Sequence, residues 1–160
     1  MLKADQLTEY QSYRAPNGAG ISLRYINEGM LNLSRQYQIP LAVTYEQIKY
    51  GGVFSSQTEE CLLFYHPSHT NDYLGFCVTL RKQGTMAFIT LSTYGVSKQL
   101  KISGLKERGI QQRKGQSLSY KIGNKLAEKI QTRGAKSLAL GEENEYYNAV
   151  FSIFEELLNT

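Results

Sequence analysis

From Ser22 onward, apolar side chains recur at Leu23, Ile26, Met30, Leu33 and Tyr37, in steps of three and four that stay on one face of a helix. Ser22 is an N-cap residue type, and Pro40 cannot continue a helix, so the first helix is expected between them. Gly29 interrupts it at a cost of about 1 kcal/mol relative to alanine. Its place beside the apolar stripe reads as close packing against another element.

The period then changes from helical to alternating. "LAVTYEQIKYGGVF" predicts one strand followed by a Gly51-Gly52 turn, and the stretch from Cys61 to Gly95 contains three alternating runs separated by two turn signals. In the second run Leu74, Phe76, Val78 and Leu80 point to the core, and Tyr73, Gly75, Cys77, Thr79 and Arg81 point away. A two-residue turn at Gln83-Gly84 would pair Val78 with Ile89, Leu80 with Ala87 and Phe76 with Leu91. A loop through Pro67 to Asn71 would pair Leu62 with Phe76 and Phe64 with Leu74. Every pair falls on the same face, as an antiparallel meander requires.

Residues 1–20 are polar, with a turn signal at "APNGAG", and read as a peripheral arm or edge strand. Residues 97–116 form a basic, glycine-punctuated stretch that reads as a loop. A second helix is expected from Ser117 to Gly134, with Leu118, Ile122, Leu126 and Ile130 as its apolar face. A third is expected from near Glu142, where three glutamates would suit the dipole of its first turn, through Leu158. The expected fold is α+β, a single domain over residues 1–160. An antiparallel sheet of about four strands, a meander, is packed on one face by an N-terminal helix and two C-terminal helices.

Charge adds what periodicity leaves out. The net charge of +4 conceals a segregation: residues 97–136 carry eleven Lys/Arg against two Asp/Glu, residues 1–96 balance, and residues 137–160 hold five Glu and no basic residue. On the second helix Lys121, Lys125, Lys129 and Arg133 stand four apart, a cationic ridge about 100° from the apolar one; Lys114 precedes it. One reading is a solvated flank, or a face paired with the glutamates of the last helix. The functional reading is an anion-binding surface for an acidic protein or nucleic acid.

Candidate chemistry is sparse. Cys61, His66, His69 and Cys77 form a C-x4-H-x2-H-x7-C group whose residue types suit zinc. The spacing matches no finger or ribbon, and thiols in strands usually serve as small hydrophobes. The expectation is therefore no metal, no cofactor, two reduced thiols and no catalytic residues. Cys77 as nucleophile with His69 as base lacks any supporting signature, and no glycine-rich phosphate loop is present. Without a signal peptide or an apolar run of membrane length, the reading is a cytoplasmic protein with no membrane partner. Homo-oligomerisation through the broad Tyr-Phe face of the last helix stays open. The chain is thus expected to be a non-catalytic binding module with a basic segment, residues 98–136. The alternative is a small-ligand-binding protein or enzyme using a Tyr/His-lined cavity between sheet and helices.

Overall fold

The computed structural model describes residues 1–69, 73–95 and 136–159. Helix α1, Leu23–Gln36, begins where Ser22 Oγ accepts the Tyr25 N–H at 3.0 Å. It stops before Pro40 is reached: Gln38 takes the left-handed conformation (φ 56°), and the Ile39 N–H returns to the Ser34 carbonyl at 2.8 Å, closing the helix end.

Six strands accompany it: β1 (Leu2–Lys3), β2 (Thr8–Ala15), β3 (Ala42–Tyr50), β4 (Gln57–Tyr65), β5 (Gly75–Gln83) and β6 (Met86–Tyr94). Their spatial order is β1-β3-β4-β5-β6-β2, in a sheet curled into a half-barrel. The α+β class agrees with the sequence reading, and β3 to β6 form the expected meander. The simple four-stranded antiparallel sheet does not hold. β1 lies parallel to β3, with Leu2 opposite Ile48, and β2 pairs antiparallel with β6 as a full edge strand. The helix expected from Ser117 and the basic loop 97–116 lie outside the described residues.

Both hairpin registers differ from expectation by two. Val78 lies opposite Leu91 and Leu80 opposite Ile89, while Leu62 meets Val78 and Phe64 meets Phe76. The β5–β6 turn centres on Gly84-Thr85 because Gly84 supplies the positive φ (59°) at the first central position. A shift of two keeps every side chain on its face, so the facial assignment survives.

Helix α2, Lys136–Asn159, starts six residues before the expected position. Leu138, Ala139 and Leu140 are strong helix formers that extend it. The glutamates therefore fall beyond its first turn, and Glu143 is buried, accepting the Tyr147 hydroxyl at 2.9 Å.

Ile26 and Met30 of α1, with Tyr147, Val150, Phe151, Phe154 and Leu157 of α2, pack on Leu62, Phe64, Phe76, Val78, Ile89 and Leu91 of the sheet. These side chains fill the layer between helices and sheet. A second cluster joins Ile48, Cys61, Leu63, Cys77 and Tyr94 on the opposite face, with Leu2, Ala4 and Leu7 against it. The expectation of a single core face is thereby corrected. The away-pointing row of β5 is buried at Gly75 and Cys77 and exposed only by Arg81, because a small glycine and a thiol leave room for Tyr94.

Candidate functional site

Lys114, Lys121, Lys125, Lys129 and Arg133 lie outside the described residues. The four residues of the metal alternative are described, and they are brought together only as two separate pairs. Cys61 and Cys77 belong to the second cluster, whereas His66 turns to the helix-covered side and packs edge-on against Tyr146 of α2, 4.9 Å between centroids. Among the described residues no group of three or more His, Cys, Asp or Glu could hold a metal ion.

The two cysteines sit diagonally across β4 and β5, Cys61 opposite Thr79 and Cys77 opposite Leu63. Both are free and buried. Their thiols hydrogen-bond each other, and this bond, together with burial, pushes the Cys77 thiol far up. Tyr94 lies beside them with its ring across Gly75, where a Cβ would stand 2.6 Å from the phenol oxygen. Burial raises the Tyr94 phenol, and its hydroxyl has no hydrogen-bond partner among the described residues. Both cysteines are enclosed, and the pair packs as small hydrophobes.

The histidines occupy the turn after β4. His66 and His69 stack with centroids 4.5 Å apart, and His69 meets Tyr73 edge-on at 5.4 Å. His66 Nδ1 accepts the Ser68 N–H at 3.0 Å, so its neutral form carries the proton on Nε2. The Tyr146 hydroxyl donates to the Pro40 carbonyl at 2.8 Å, and burial raises its phenol. These groups tie the β4–β5 turn to α2, and α2 to the connection between α1 and β3.

A different surface lies at the other end of β3. Gly51 turns the chain with φ 84°, and a Cβ there would run into the Ser55 carbonyl, so the β3–β4 connection is tightly closed. Val53 and Phe54 stand at its tip, 93% and 102% exposed. Beside them opens a groove of about 480 Å³ lined by Lys3, Asp5, Lys49 and Val53, among others. The parallel pairing of β1 with β3 sets Lys3 opposite Lys49 and so builds the groove's cationic rim. Sequence reading missed this surface. The available signal was an apolar pair, Val53-Phe54, enclosed by Gly-Gly and Ser-Ser, where no strand could bury it.

Next to it, Arg81 donates from Nε and Nη2 to the two carboxylate oxygens of Glu59, each at 2.8 Å, and the Tyr50 hydroxyl donates to Glu59 at 2.7 Å. The Arg81 bonds lead in holding the Glu59 carboxyl below its ordinary value of 4.5. Burial, with Glu59 adding to it, pushes the Tyr50 phenol up to about 12. Because the folded pKa of Glu59 is depressed, its stabilisation is present above pH 4.5 and is lost as pH falls through the folded pKa. Wild type should therefore lose more stability than Glu59→Gln between about pH 6 and the acid side of that value. Parallel urea midpoints across this range would contradict the assignment.

Comparison with protein-family models, with curated proteins and with solved structures finds no match. Among the described residues no helix is long and apolar enough to cross a membrane.

Proposed function

We propose that this chain is a non-catalytic binding module for an anionic partner, engaged through residues 98–136 with Lys114, Lys121, Lys125, Lys129 and Arg133 as leading contacts. The observation that carries the reading is the concentration of charge. Eleven Lys/Arg stand against two Asp/Glu in residues 97–136, while the rest of the chain is neutral or acidic. Two features of the described residues support it over a small-ligand site between sheet and helices. Phe64, Phe76, Tyr147 and Phe154 occupy that layer, and the histidines pack against each other and neighbouring tyrosines.

The test is a titration of duplex DNA, single-stranded DNA and polyglutamate at two salt concentrations. Four phosphate contacts on a duplex give a slope of log affinity against log salt near about −3.6, so a fourfold rise in salt weakens binding roughly 150-fold. Lys125→Gln with Lys129→Gln should bring the slope to about −1.8. Failure of all three polyanions to bind tighter than about 0.1 mM at physiological salt removes this reading.

A further inference from the structure

We propose that the β3–β4 tip and the groove beside it dock the protein on a phospholipid surface that carries serine headgroups. The inference goes beyond the anionic-partner reading: it concerns a second surface, at this end of the sheet, that shares no residue with the basic segment 98–136.

Two independent features meet here. Val53 and Phe54 are the most exposed apolar side chains among the described residues, held outward by the tight turn at Gly51. The groove places two ammonium groups, Lys3 and Lys49, with one carboxylate, Asp5, and Val53 belongs to both tip and groove. No ion pair engages Lys3, Lys49 or Asp5 among the described residues. Two cations and one anion complement a ligand with two anionic groups and one cationic group. A phosphatidylserine headgroup has that set: a phosphodiester, a carboxylate and an ammonium. A glycerol headgroup has only the phosphodiester and leaves Asp5 facing negative charge.

The shape favours a bilayer over a protein partner. A stable protein interface needs about 800 Å² from each side, and a convex tip of two residues supplies a small fraction of that. A bilayer interface receives an aromatic and an aliphatic side chain at the acyl boundary while lysines stay at headgroup level. The absence of an apolar run of membrane length in the sequence bears on spanning a bilayer, not on lying against one.

The experiment is co-sedimentation of the full chain with vesicles of phosphatidylcholine alone, or with equal shares of phosphatidylserine or phosphatidylglycerol. Binding should rank serine above glycerol above choline. Val53→Ser with Phe54→Ser should weaken serine-vesicle binding by about tenfold or more. Lys3→Gln and Lys49→Gln should each weaken it about fivefold. Asp5→Asn should erase the preference for serine over glycerol. All five positions are exposed, and circular dichroism would verify that the variants are folded. Equal binding by wild type and the tip variant overturns the inference, as does equal affinity for the two anionic headgroups. Polyanion binding that responds to Lys125→Gln, without vesicle binding, leaves the module reading standing and removes the lipid surface. Tip-dependent binding of polyglutamate in place of vesicles assigns the surface to a protein partner and likewise overturns it.

Discussion

Phe154→Ala is expected to lower the unfolding free energy by about 3–5 kcal/mol, the range for removing a buried phenyl group from a packed core. Phe154 is buried on α2 and meets Tyr13 of β2 edge-on at 5.7 Å and Phe64 of β4 at 6.3 Å. It thus joins the edge of the sheet, its centre and the C-terminal helix. Removing the ring opens a cavity with walls on three elements, and strands paired across the sheet cannot collapse into it freely. For a chain of this size the loss corresponds to a fall in melting temperature on the order of 10 °C. A urea titration followed by near-ultraviolet circular dichroism measures it. A midpoint within error of wild type would mean that α2 does not cover the sheet with this face.

What the sequence makes legible, and what it does not, follows the range of the interaction involved. Helix α1 is read from local signals alone: the Ser22 cap, the stripe through Ile26 and Met30, and the approach to Pro40. Faces of β4, β5 and β6 are legible for the same reason, since alternation is a property of neighbouring residues. Register depends on which turn residue accepts a positive φ, and both Gln83-Gly84 and Gly84-Thr85 look acceptable on paper. Strand β2 is only one of two options in the sequence, because its place is given by pairing with β6, Thr8 opposite Thr93, far along the chain. No local pattern in "TEYQSYRA" encodes that partner.

The candidate surface is illegible for a related reason. Lys3 and Lys49 are isolated cations in sequence, and only the parallel contact of a two-residue strand with β3 makes them neighbours. The second core cluster is hidden by its composition. Cys61 and Cys77 stand with two histidines in an apparent metal-ligand group, whereas their burial beside Tyr94 gives them the packing role of small hydrophobes. The cationic ridge is the converse case. It is conspicuous in sequence, and Lys114 and the four ridge residues lie outside the described residues, so only its charge is legible.

Gly29 supplies the second large effect, and a reading that links sequence to packing. It stands on α1 facing α2, where a Cβ would collide with Leu157 Cδ1 and lie 3.0 Å from Cδ2. The close approach expected from its place in the stripe is present. Two terms oppose each other in Gly29→Ala. Helix propensity gains about 1 kcal/mol, and overpacking costs about 1–3 kcal/mol because Leu157 is buried in one cluster with Tyr147 and Phe154 and must shift against them. The net should be a loss of about 1 kcal/mol, rising to about 3 kcal/mol for Gly29→Val, whose branched side chain adds volume and gives up the propensity gain. Leu157→Ala alone should cost about 2–5 kcal/mol. In the double variant the methyl introduced by Gly29→Ala enters the space vacated by the Leu157 side chain, so Gly29→Ala with Leu157→Ala should be more stable than the sum of the single losses by about 1 kcal/mol or more. Urea midpoints of the four proteins complete the cycle. Additivity within about 0.5 kcal/mol would show that α1 and α2 do not touch at this point, and the helical layer over the sheet would have to be rebuilt.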